Sequence, residues 1–169
     1  MIPNAPVWAL QQDETETLIE DWDELFLRMC FLVSRKSKDP STRTGCVVVD
    51  RNHRIRSMGF NGFPQGVEDD PERYADRELK YRLIAHCDSN AIFSAARIGI
   101  PLEGCTMYLT GPPCSECTKA IIQAGIERVV WPRWNKFEDD PATRERWAVS
   151  IGCSDLMARE AGVSFERVE

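Results

Sequence analysis

The chain has 169 residues, 43% of them apolar, with 21 Lys and Arg against 27 Asp and Glu for a formal charge of −6. That length suits one domain with its own core, and the acidic balance excludes a general affinity for nucleic-acid backbone while leaving room for a local basic pocket around one phosphate. No stretch approaches the unbroken apolar length that spans a bilayer. Seven cysteines (30, 46, 87, 105, 114, 117 and 153) are scattered singly through apolar segments, with no basic-plus-apolar leader before them, which indicates a reducing, cytoplasmic setting.

In chain order, residues 1–20 contain two prolines and then the acidic run Asp13, Glu14, Glu16 and Glu20; they read as an N-terminal arm before a domain over 21–169. From Asp21 to about Lys38, Trp22, Leu25, Phe26, Met29, Leu32 and Val33 recur at helical spacing behind an Asp21 cap. Gly45 to Asp50 is a short β-rich run, Arg51-Asn52-His53 a turn, and Arg54 to Phe60 a second strand. Residues 61–80, rich in Gly, Pro and charge, read as a long surface excursion with a short helix near 76–81. A helix is expected from His86 to a Gly99 stop, a strand over Thr106–Leu109, a helix over Ser115–Gln123 ended by Gly125, and a strand over Arg128–Trp131. Residues 132–147 read as a charged, Trp-containing link, 154–161 as helix and 163–168 as strand. The alternation after the hairpin implies an α/β fold with a mixed sheet.

Two short clusters carry the chemistry. Pro113-Cys114-Ser115-Glu116-Cys117 opens one expected helix and His86-Cys87-Asp88 another, so two positive helix ends can face one point and favour thiolates there. Two thiolates and an imidazole are a zinc ligand set that leaves a fourth position for water, whose proton is lost near neutral pH. Asp88, two residues beyond His86, can take a proton from that water and return it to a leaving amine. Alone, the Cys-x-x-Cys also reads as a redox dithiol, and a structural zinc would need a fourth ligand from His53, Cys87 or Cys105.

The joint pattern is more specific than either part, because His-x-Glu followed by Pro-Cys-x-x-Cys is the signature of zinc nucleobase deaminases. The resemblance continues through Ser37-Lys38-Asp39-Pro40-Ser41-Thr42, Gly59-Phe60-Asn61-Gly62-Phe63-Pro64, His86 to Ile92, Gly104 to Thr110 and Ile121 to Ile126. Over roughly 21–168 the chain resembles the deoxycytidylate (dCMP) deaminase family of the zinc-dependent cytidine deaminase superfamily. That resemblance implies a three-layer α/β sandwich, a mixed five-stranded sheet flanked by helices, and the hydrolysis of dCMP to dUMP and ammonia. It implies Zn2+ on His86, Cys114 and Cys117, with Asp88 at the position of the family's glutamate. It further implies substrate contacts from Asn61 and, for a phosphate, Ser37, Lys38, Ser41 and Thr42. A regulatory dCTP or dTTP would lie near Gly62 and Gly66. Independently of the resemblance, the acidic tip Glu68-Asp69-Asp70 reads either as a solvated charged loop or as a Mg2+ site beside a triphosphate. Arg97 matches a subunit-packing position, and a homo-oligomer, commonly a hexamer, is implied; membrane and nucleic-acid partners are not. The chain departs from the pattern at Asp88, shorter than glutamate by a reach on the order of 1.5 Å, and at Cys87, where the family has a small alanine.

Overall fold

A computed structural model of the protein describes residues 18–133, 135, 137 and 140–168; most of the expected N-terminal arm, including Asp13, Glu14 and Glu16, lies outside the described residues. The five strands β1 (Gly45–Val49), β2 (Ile55–Phe60), β3 (Thr106–Leu109), β4 (Arg128–Pro132) and β5 (Ser164–Val168) form one sheet in the order β2-β1-β3-β4-β5. β1 is antiparallel to β2 and β3, whereas β3, β4 and β5 run parallel. The mixed sheet arises because a tight turn can join only antiparallel neighbours, while each parallel step needs a crossover helix. The turn is held by Asp50, whose Oδ1 accepts the amides of Asn52 and Arg54, and His53 there adopts φ 60°.

Every residue of β1 is buried, as expected of a strand covered on both faces. On one face Cys46 and Val48 join Met107, Leu109, Val129 and residues of α4 (Cys87–Arg97) and α5 (Ser115–Gln123). On the other, Val47 and Val49 pack with Tyr108, Val130 and the Phe26-Leu27-Cys30 stripe of α1 (Trp22–Ser34). The result is the helix–sheet–helix layering expected from sequence.

Three boundaries differ from the sequence reading. α1 stops at Ser34 rather than near Lys38, its end closed by the amides of Arg35, Lys36 and Ser37 on Leu32, Val33 and Ser34 carbonyls. The 61–80 excursion holds one helix, α2 (Pro71–Ala75), and the start of a second, α3 (Arg77–Leu83), begun by Asp70 and Asp76 caps. The last helix, α6, runs Pro141–Ala161, so half of the expected link is helical. Asp140 accepts the Thr143 amide and Pro141 follows it; an Asp cap with Pro in the first turn is a start signal that the surrounding charge obscured.

Two glycines set how closely helices approach the sheet. A Cβ on Gly59 would lie 2.2 Å from the Cys87 carbonyl and 2.6 Å from the Ala91 nitrogen, and one on Gly45 would lie 2.0 Å from the Cys30 carbonyl. Gly59 thus allows α4 to sit directly on β2, which fixes where the start of α4 falls.

Candidate metal centre and substrate cavity

His86 and Cys114 are the residues immediately before the first turns of α4 and α5, both with extended backbone, and neither side chain caps its own helix. Their side chains are therefore left to point past the helix ends, and Cys117 reaches the same place from the first turn of α5. His86 Nδ1 lies 3.4 Å from each sulfur, and the three ligand atoms fall within 4.8 Å of one another. Two edges of a tetrahedron built on Zn–S and Zn–N bonds would be about 3.5 Å, so the donor set fits zinc in type and spacing. Among the described residues this is the one His/Cys/Asp/Glu group so placed, and all seven cysteines are free thiols.

The charges respond to this closeness. Hydrogen bonding with Cys117 pulls the Cys114 thiol down to about 4, and the same contact, with burial, pushes Cys117 up. His86 is raised by its hydrogen bond to Cys114, against the effect of burial. Asp88 is 4% exposed, and burial raises its carboxyl above the ordinary range although His86 opposes this. Its Oδ1 accepts the Ser89 amide at 2.9 Å, and Ser89 Oγ lies 3.4 Å from Cys117 Sγ.

His86, Asp88 and Cys114 line a cavity of about 530 Å³, with Cys117 behind them. Of the substrate residues expected from sequence, Asn61, Ser41 and Thr42 line it, whereas Ser37 and Lys38 do not. Ser37 is buried and its Oγ accepts the Asp39 amide, while Lys38 is exposed and pairs with Asp69 at 2.9 Å. Asn61 holds the cavity rim: its Oδ1 accepts the Thr44 amide at 2.8 Å and its Nδ2 donates to the Thr42 carbonyl at 2.9 Å. Gly62 pairs with Ala85 on the segment entering His86, and Gly66 lies at φ 91° on the exposed loop; neither lines the cavity. The acidic tip does not gather into a cation site: Glu68 pairs with Arg73, Asp69 with Lys38 and Tyr74, and Asp70 caps α2.

The cavity also has residues that no motif announced. Lys80, on α3, is buried and bonds Asp39 at 3.2 Å and Ser41 Oγ at 2.7 Å. Burial disfavours the Asp39 charge, but the amides of Ser41 and Thr42, the Ser41 hydroxyl and Lys80 outweigh it and hold the carboxyl below its usual value. Arg77 lines the mouth from α3, and Thr143, Arg146, Trp147 and Ile151 line it from α6. Their positions in two stretches without an apolar rhythm left only helix-start signals as a clue.

The Cytidine and deoxycytidylate deaminase zinc-binding region matches residues 20–132 of this chain. A protein of Aliivibrio fischeri described as an uncharacterized deaminase in the luxG 3′ region is 41% identical over 146 residues, covering 86% of this chain and 92% of that one. Human deoxycytidylate deaminase is 35% identical over 152 residues, covering 87% and 79%. In architecture the chain is similar to the dCMP deaminase of cyanophage S-TIM5 in complex with dCMP and dUMP, with a TM-score of 0.65 at 23% identity over 90% of this chain and all of that one. With the ligand set and the sheet order already in place, the chain belongs to the cytidine and deoxycytidylate deaminase family of hydrolases.

Proposed function

We propose that this protein hydrolyses dCMP to dUMP and ammonia. The observation that carries the reading is the His86, Cys114 and Cys117 cluster beside a nucleotide-sized cavity that His86, Cys114 and Asp88 line, in a chain related to deoxycytidylate deaminases over most of its length. Zinc on His86, Cys114 and Cys117 would supply an activated water for attack at C4 of the base. Asp88, beside His86 and lining the cavity, would carry both protons of the attacking water in turn, the first to the ring nitrogen and the second to the departing amine, so water and dCMP balance to dUMP and ammonia. Its burial favours the protonated form needed in the second half of this cycle.

Ser41, Thr42, Arg77 and Arg146, with the Asp39-paired Lys80, give the cavity donors and positive charge suited to a 5′-phosphate. The Gly62–Gly66 loop, tied to α4 by Arg97 Nη1 donating to Gln65 at 2.6 Å, is where a dCTP or dTTP effector would act. The protein works as a cytoplasmic homo-oligomer with the domain over 21–169 as its folding unit. No helix among the described residues is long and apolar enough to cross a membrane.

The test is protein with its zinc quantified, incubated with dCMP, with ammonia and the absorbance change toward dUMP followed together. Absence of both at one zinc per chain would end this reading. A second reading, a nucleotide-binding relative with weak turnover, is favoured by one feature: Asp88 is the shorter acid and already holds the Ser89 amide. It requires dCMP or dUMP to bind zinc-loaded protein without ammonia release.

A further inference from the structure

We propose that Trp147 is the wall against which the substrate's base is held beside His86, which makes the first half of α6 the specificity element of this chain. The inference rests on the reading of the cavity as a nucleotide site. Trp147 lines that cavity and stands edge-on to the His86 ring, with centroids 6.1 Å apart at 61°, and edge-on to Phe137 at 6.1 Å and 77°. A ring placed there narrows the end of the cavity at which the metal ligands sit. Its neighbours on the same helical face, Thr143 and Ile151, are four residues either side of it and also line the cavity, so this face of α6 is turned inward while Val149 on another face is 80% exposed.

The wall is fixed relative to the metal ligands. Ser150 Oγ accepts the Ser115 amide at 3.0 Å, taking the capping role that Cys114 leaves open, and Ser154 Oγ donates to the Pro113 carbonyl at 3.0 Å. Ser154 also bonds Thr118 on α5. These contacts grip the chain on both sides of Cys114, so α6 cannot shift without shifting a ligand. A nucleobase offers a flat π face and an edge of polar atoms; Trp147 meets the face and leaves the edge to Asp88 and the metal end. The same indole limits depth, which favours a one-ring base over a two-ring base.

The test measures binding of dUMP and dGMP to zinc-quantified wild type, Trp147→Ala and Trp147→Phe, so that affinity is read without turnover. Loss of base–aromatic contact on truncation should weaken dUMP by about 5- to 100-fold, with Phe restoring most of it, and Trp147→Ala should discriminate less against dGMP. Circular dichroism and zinc content confirm that the variants are folded and loaded. Unchanged dUMP affinity in loaded Trp147→Ala would overturn the wall and leave the function standing. Wild type that binds dGMP and not dUMP would overturn the pyrimidine reading, and the wall would then stand or fall on the same fold-change for dGMP. Wild type that binds neither would overturn both.

Discussion

Asp88 concentrates the chain's departure from the His-x-Glu signature in one methylene. Its neighbours are those expected of a proton-transfer group and it lines the cavity, yet one carboxylate oxygen is engaged by the next residue's amide in the first turn of α4. Asp88→Ala should reduce ammonia release by roughly 10²–10⁴-fold with zinc retained, because the ligand set is untouched; turnover within twofold of wild type would remove Asp88 from the mechanism. If reach limits the rate, Asp88→Glu should raise kcat, by up to about a hundredfold, since misplacement by about 1 Å carries a cost of that order. A fall in kcat would mean that Gly59, Cys87 and the start of α4 have adjusted to the shorter acid. The His86, Cys114 and Cys117 cluster was legible in the sequence because metal chemistry restricts its donors to a few residue types at fixed spacing. Lys80 and Trp147 were not, since a lysine in a charged loop and a tryptophan in a charged link look like surface until the fold turns them inward.

At the level of elements, the site is made at the starts of two helices, α4 following α3 and α5 following β3, and by a third helix, α6, that clamps the start of α5. α4 owes its position to the missing side chain at Gly59. Gly59→Ala forces a Cβ against backbone rather than against a side chain that could swing away. We expect a loss of about 1–3 kcal/mol by denaturant unfolding, together with weaker zinc retention, because His86 moves with the helix; an unchanged unfolding midpoint would show that α4 can lift off β2 freely. The strands and α4 and α5 were readable from apolar runs and stops such as Gly99 and Gly125. α6 was read short because its first half is charged outside and lines a cavity inside, so it lacks the apolar stripe that periodicity detects. The close approach permitted by Gly59 was invisible for another reason: it depends on a neighbour 28 to 32 residues away rather than on local pattern.

On the scale of the whole molecule, one ion-pair cluster ties the α1 layer to the sheet. Arg128 on β4 donates to both Asp23 oxygens at 2.9 and 2.6 Å and to Glu166 at 3.0 and 2.6 Å, and Tyr108 donates to Asp23 at 2.6 Å. Arg128 lowers the carboxyls of both Asp23 and Glu166 from ordinary values of 3.8 and 4.5. Because the folded values lie below the unfolded ones, this stabilisation is complete above the unfolded values and is lost as pH falls through the folded ones. Wild type should therefore lose stability as pH drops below about 4.5. Arg128→Met should cost about 1 kcal/mol at pH 7, given partly exposed partners, and flatten that acid limb; identical pH–stability curves would exclude the cluster as its source.

The positions of His86 and Cys117, 31 residues apart in sequence, carry a mechanical consequence as well as a chemical one. An ion held by both residues would fasten shut the whole stretch from α4 through β3 to the start of α5, in the manner of a covalent staple. By the chain-entropy reasoning applied to cross-links, a ring of that size is worth about 3–4 kcal/mol to the folded form. Stripping the ion with a chelator should lower the melting temperature and, in hydrogen exchange, loosen that stretch before α1 and β5; uniform loosening would mean the ion fastens nothing.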